Sequence, residues 1–375
     1  MGSHPVLLKR TMTTIAELPT PALLLDQHVL EGNLQRMARR AEELGVSLRP
    51  HIKSHKCAEI AERQRALGAR GITVATLPEA RAFAEHGFED ITWAFPLILN
   101  RLDEVLDLAK RVTLRLVVDS SEAIYALERA EHPFHVWLEV DCGYHRVGVD
   151  PQSLTALELA RTLHGSDTLD FDGILTHSGH AYQGRTREDI ARVATQERQV
   201  MVEFADRLRA EGVRVDGVSV GSTPALAVVD HLEGVTEARP GNYALHDYTQ
   251  VLLGTCTPRE CAVTVLASVV SSQPGSKHSV TDAGALALSK DTARGPAPQP
   301  TMGEIYQDYA AGTLRPDARL VSLSQEHGMV SKPLPVGSRV RILPNHACLA
   351  VSCFDRYHVV QGDEVVDTWR IWRER

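Results

Sequence analysis

The feature that most restricts this chain is an alternation of short apolar runs with helical patterns, eight runs between residues 46 and 239. The runs fall at 46–50 (VSLRP), 71–77 (GITVATL), 90–95 (DITWAF), 114–119 (LRLVVD), 135–141 (HVWLEVD), 171–177 (FDGILTH), 216–221 (DGVSVG) and 235–239 (VTEAR). Each has the length and composition of a buried strand. Helical periodicity fills most gaps, including Pro151 to His164 and Arg187 to Arg209, while the last gap is short and weakly helical. Eight strands separated by helices are the signature of a (β/α)8 barrel. A doubly wound open sheet would place a glycine-rich turn between its first strand and helix. None is present. The expected fold class is therefore α/β, a TIM-type barrel.

Two flanking regions differ. Residues 22–26 (ALLLD) read as a short buried strand, followed by a helix with Leu30, Leu34, Met37, Ala41 and Leu44 at three- and four-residue spacing. Beyond Leu252 helical periodicity fades, and strand-like runs at 262–270, 338–343 and 357–360 are separated by Gly, Pro and Asp turns. A chain of 375 residues is comfortable as two domains. The expected division is an N-terminal extension at 1–18, a barrel at 19–251 and a mostly-β domain at 252–375, with the 22–26 strand free to pair with the β domain.

Composition removes several functions. A net charge of −8 without a basic stripe argues against nucleic acid as a partner. No apolar run reaches the roughly 18 residues of a membrane span, and the N-terminus lacks the apolar core of a signal peptide. Six cysteines without a CxxC pair point to reduced thiols and a cytoplasmic location.

Barrel active sites form at the C-terminal ends of strands, and five unusual segments fall there. The first is RPHIKSHK (49–56). A lysine at that mouth, partly desolvated, has a lowered pKa and suits Schiff-base chemistry. The plain alternative is that Lys53 and Lys56 are solvated loop residues. EVDCGYHRVG (139–148) ends the fifth strand and THSGH (176–180) the sixth. GST (221–223) and RPGNY (239–243) supply glycines and hydroxyls able to wrap a phosphate. In the β region, PNHAC (344–348) sets His346 and Cys348 two residues apart. On a strand they would share a face and grip one ion, and imidazole plus thiolate suits zinc. The alternative is a buried strand pair.

Together these segments resemble the fold-type III pyridoxal-phosphate enzymes with their alanine-racemase-like barrel, over nearly the whole chain from Pro19 onward. Within that class they are most similar to the D-threonine aldolase and eukaryotic-type D-serine dehydratase family. The resemblance implies pyridoxal 5'-phosphate joined to Lys53, with Arg146 near its phenolic oxygen and His177 against its ring. It sets Ser222, Thr223, Gly241, Asn242 and Tyr243 around the phosphate, and Arg239 where alanine racemases contact the pyridine nitrogen. It also makes His346 and Cys348 ligands of a divalent metal, zinc or alternatively manganese. His180 and Tyr182 are candidate proton carriers, and Tyr182 also counts among the cofactor neighbours. Cysteine at 348 is typical of the dehydratases, where aldolases more often carry aspartate; Leu349-Ala350 departs from the family's Pro-Thr.

The implied activity is a lyase on small β-hydroxy D-amino acids, of D-serine dehydratase type, releasing a 2-oxo acid and ammonia. D-threonine aldolase chemistry is the alternative; a racemase or a non-catalytic cofactor-binding protein is more remote. The resemblance also implies a homodimer, and leaves the choice among D-serine, D-threonine and 3-hydroxyaspartate open.

Overall fold

All eight runs form strands. The computed structural model describes residues 13–296 and 299–373. Its barrel strands are Ser47–Leu48, Ile72–Val74, Asp90–Pro96, Thr113–Val118, Phe134–Glu139, Leu169–Leu175, Gly217–Val220 and Glu237–Ala238. From the second to the eighth, each pairs in parallel with the next, and the eighth also pairs with the first. A parallel bridge between His51 and Thr73 joins the end of the first strand to the second and closes the barrel. Val136, Leu138, Ile174, Val218 and Val220 are fully buried. Burial on both faces is why these strands read as unbroken apolar runs. The wall is tight at Gly173, where an added Cβ would lie 2.0 Å from the Gly217 carbonyl oxygen.

Helix starts are fixed locally. Thr186 and Asp189 form a capping box ahead of Arg187–Ala210, as Thr76 and Glu79 do ahead of Leu77–Glu85. The weakly helical last gap holds only Thr223–Val228, capped by Ser222.

Charges cross the barrel as a connected chain. Arg49 is 5% exposed and donates to Glu237 Oε2 at 2.6 Å and to both Asp90 oxygens at 2.8 and 3.0 Å. Arg115 links Asp90 to Asp172, which also meets His135. Glu237 accepts the Ser219 hydroxyl at 2.6 Å, and Ser219 in turn accepts from Arg239. Pairing at every link is what makes such burial tolerable.

The second sheet has ten strands. The Ala22–Asp26 strand lies here, antiparallel to Val263–Ser271 and parallel to Arg356–Gln361. Arg339–Leu343 pairs with both Val263–Ser271 and Gly303–Asp308, so part of the sheet closes on itself. One hydrophobic cluster is continuous from Leu23 and Leu25 through the barrel helices to Ile342 and Tyr357. All six cysteines are free, and among the described residues no helix is long and apolar enough to cross a membrane.

Replacing Arg49 with methionine leaves Glu237 buried without its cation. The expected loss is about 3–5 kcal/mol, read as a lower urea midpoint by circular dichroism. An unchanged midpoint would show that the chain of charges carries no stability.

Candidate active site

A cavity of 580 Å³ lies at the C-terminal ends of the barrel strands and takes part of its wall from segments that connect strands of the second sheet. The first strand leads into a short turn, Ile52–Ser54, that carries Lys53. Ser54 Oγ ties this turn to the Gly241 carbonyl at 2.9 Å, and the Tyr357 hydroxyl, from the second sheet, bonds the His55 carbonyl at 2.7 Å. Lys53 reaches into the cavity, open to water through it yet surrounded by protein. Those surroundings lower its pKa, with Arg146 adding to the effect and Cys348 and Glu79 opposing it. Lys56 is not a solvated loop residue: it pairs with Glu79, whose side chain is fully buried.

Arg146 and His177 line the cavity from the fifth and sixth strand ends. Arg146 lies over the Tyr144 ring, 5.2 Å from its centroid. His177 is held neutral. Burial lowers its pKa to about 3, helped by the charges of Lys53, Arg146 and Arg239. Tyr182 lines the cavity too, whereas His180 is absent from its wall and stacks on Tyr144, ring centroids 6.0 Å apart.

Ser222, Thr223, Gly241 and Asn242 form the part of the wall read as a phosphate cradle. Ser222 caps Thr223–Val228, and Asn242 opens the turn Asn242–Ala244. The first amides of such turns have no acceptor within their own helix and suit an anion. A Cβ at Gly241 would sit 2.7 Å from the His51 carbonyl oxygen, so backbone approaches backbone here. Arg239 also lines the cavity, its guanidinium held by Ser219 and the Thr176 carbonyl. Tyr243 behaves differently. Its ring is buried with its hydroxyl accepting from Gln64, and its backbone N–H bonds Thr223 Oγ1 at 3.0 Å.

His346 and Cys348 line the same cavity, but not from a strand. The strand ends at Leu343; His346 precedes the helix Ala347–Val351 and Cys348 lies in its first turn. The Pro344-Asn345 turn breaks the ladder, so a tight helical start replaces strand alternation in bringing the two side chains together. Asp291 bonds His346 Nδ1 at 2.7 Å, leaving Nε2 for another partner. Burial opposes a charge on His346, but Cys348 and Asp291 outweigh it and push its pKa up to about 11. This is a place that favours a cation.

Three carboxylates of the site escaped sequence reasoning. Asp291 sits in an aperiodic segment and carries no local signal. Asp247 caps the short helix Tyr248–Leu252, a signal that was readable, and also accepts from Asn242 Nδ2 at 2.6 Å and the Ala347 amide at 2.9 Å. Glu197, from the long helix Arg187–Ala210, accepts the Gly221 and Ser178 amides at 2.9 and 3.2 Å.

A closed barrel whose rim amine shares a cavity with a histidine and a cysteine at the start of a short helix beyond the second sheet's Arg339–Leu343 strand defines an enzyme of alanine-racemase architecture. The alanine racemase N-terminal domain family matches residues 25–248, and a serine dehydratase domain matches 262–360. The chain belongs to this family of lyases, which joins a racemase-type barrel to a dehydratase-type β domain. It is 37% identical to D-threo-3-hydroxyaspartate dehydratase of Delftia sp. (strain HT23), covering 95% of this chain and 98% of that one. It is 34% identical to D-serine dehydratase of Dictyostelium discoideum (94% and 96% covered) and 32% to D-threonine aldolase of Arthrobacter sp (95% and 93%). The solved Delftia dehydratase superposes with a TM-score of 0.90 at 36% identity, covering 96% of this chain and 98% of that one.

Glu139 generates a pH prediction. Burial raises its pKa to about 7, against the pull of Arg146 and Arg239. The folded protein therefore keeps a proton that the unfolded chain releases above pH 4.5. This stabilisation is complete below that pH and is lost as pH rises through about 7, a change of about 3 kcal/mol. Urea titrations of the cofactor-free protein across this window should show the decline, and Glu139→Gln should flatten it. An equal slope in the variant would assign the decline to another group.

Proposed function

We propose that this protein is a pyridoxal-phosphate- and divalent-metal-dependent lyase acting on β-hydroxy D-amino acids, with dehydration to a 2-oxo acid and ammonia as its reaction. The observation that carries the reading is the meeting of Lys53 with His346 and Cys348 in one cavity.

The residues present fit both groups. A lysine with lowered pKa favours the uncharged amine an aldehyde requires. The turns beginning at Thr223 and Asn242 suit a phosphate, and Asn242 Oδ1 and Glu139 Oε2, from residues lining the same cavity, are buried acceptors without partners, left for donors of a bound group. His346 oriented by Asp291, with Cys348 alongside, supplies a nitrogen and a sulfur ligand and leaves room for substrate. A variant of D-threo-3-hydroxyaspartate dehydratase has been solved in a metal-free form, which supports a metal in this family. When bound, the cofactor supplies an electron sink for the substrate α-carbon, and the ion a Lewis acid for a departing hydroxyl.

The chain's own groups do the rest. Lys53, when not joined to the cofactor, would accept the α-proton; its lowered pKa favours the uncharged amine that a base requires. His177, kept neutral, adds no positive charge beside the ring. The His346–Cys348 pair directs the β-hydroxyl away from the barrel cations. For D-serine the sum is substrate to pyruvate and ammonia, the water lost at Cβ being regained in hydrolysis of the resulting enamine. Zinc, with manganese as alternative, a homodimer and a cytoplasmic location complete the proposal.

Product analysis on D-threonine tests the reaction. 2-Oxobutyrate with ammonia is expected; glycine with acetaldehyde would make the protein an aldolase. Lys53→Ala should abolish both turnover and the visible absorbance of lysine-bound cofactor, while Cys348→Ala keeps the absorbance and loses turnover. Asp291→Ala should weaken zinc retention about 10- to 100-fold, measured by metal analysis after dialysis against a graded chelator. Full retention would remove Asp291 from the site.

A further inference from the structure

The cavity wall holds six cationic side chains, and five have a partner or a role. Lys53 is the reactive amine, Lys56 pairs with Glu79, and Arg101 pairs with Glu104. Arg146 lies over Tyr144, and Arg239 is held by Ser219 and the Thr176 carbonyl. The sixth is Arg294. It is exposed, lines the cavity, and among the described residues its guanidinium has no carboxylate or carbonyl partner.

Its backbone is nevertheless anchored where substrate chemistry would occur. The Arg294 amide donates to Thr249 Oγ1 at 3.2 Å, and the Thr249 hydroxyl donates to the Asn345 carbonyl at 2.9 Å, one residue before His346. Asn345 Nδ2 in turn donates to the carbonyl of Asp291 at 3.2 Å. The residue that orients His346 and the unpaired arginine therefore share one short segment, 291–294. The Arg294 charge is felt by Asp291 and by Tyr182, yet among the described residues Asp291 pairs with His346 and not with Arg294.

We propose that Arg294 is a specificity residue that binds a carboxylate on the substrate's β-carbon, so that the preferred substrate is a hydroxy dicarboxylate, D-3-hydroxyaspartate, rather than D-serine or D-threonine. The inference rests on the lyase reading, in which the β-hydroxyl lies at His346 and Cys348. The carbon bearing that hydroxyl then carries its other substituent toward the neighbouring wall, where Arg294 stands. A guanidinium matches a carboxylate bidentately and, unpaired, carries no competing acceptor. Dehydration of this substrate balances as hydroxyaspartate to oxaloacetate and ammonia.

The test compares Arg294→Gln and Arg294→Lys with the unaltered holoenzyme. Arg294→Gln should lower kcat/KM for D-threo-3-hydroxyaspartate by about 10- to 100-fold, chiefly through KM, and leave D-serine within about threefold. Arg294→Lys should recover part of the loss. Equal falls on both substrates would place Arg294 on the common α-carboxylate or in the fold and overturn the proposal, as would no change on either. Binding gives a readout independent of turnover. D-Aspartate and D-alanine, titrated against the holoenzyme's visible spectrum, should separate in the same way, with only D-aspartate weakened in Arg294→Gln. If the unaltered enzyme turns over neither hydroxy amino acid, the lyase reading fails, and the D-aspartate comparison still decides Arg294.

Discussion

The site depends on one buried carboxylate. Asp247 is 1% exposed, and its two oxygens serve three donors from different places: the Gln250 amide that starts its own helix, the side chain of Asn242 at the barrel rim, and the Ala347 amide in the second sheet's short helix. Asn242 in turn reaches Cys348 Sγ at 3.9 Å. Backbone bonds reinforce the joint, with the Tyr248 amide on the Pro344 carbonyl at 3.1 Å. Without this clamp the barrel would present an amine and a cradle, and the β sheet a His–Cys pair, with nothing fixing one against the other. Three satisfied donors are what make a carboxyl group tolerable at that depth.

The clamp also separates two electrostatic regions. On the barrel side Lys53, Arg146 and Arg239 line the cavity, and burial, with the charges of Lys53 and Arg239, keeps His177 and His51 neutral. On the far side Cys348, Asp291 and Asp247 hold His346 in its charged form when only a proton is available. An anionic cofactor group suits the first region and a divalent cation the second. The substrate's reacting carbons would lie between them, which is the geometry β-elimination requires.

Much of this was legible beforehand because strand and helix periodicities are local. The eight strands, the rim position of Lys53 and the glycine-rich turns at 221 and 241 all follow from patterns within a few residues. The strand at 22–26 was readable as a strand free to join the second sheet, but its particular partners, Val263–Ser271 and Arg356–Gln361, were not, since they lie over two hundred residues away. His346 and Cys348 were read as partners for a reason the structure replaces: helical start, not strand alternation. Tyr243 looked equivalent to Asn242 in sequence, yet the turn sends its ring into the core. Asp291 and Arg294 had no signal at all, because their meaning comes from a segment folded against a turn some fifty residues further on.

The central proposal, that His346 and Cys348 hold an ion in the cavity that Lys53 enters, is tested most directly by X-ray absorption at the zinc edge of the zinc-loaded holoenzyme. One sulfur at about 2.3 Å, one nitrogen at about 2.0–2.1 Å and the remaining ligands oxygen are expected, with the sulfur shell lost in Cys348→Ala. A shell of nitrogen and oxygen alone in the unaltered protein would contradict the account.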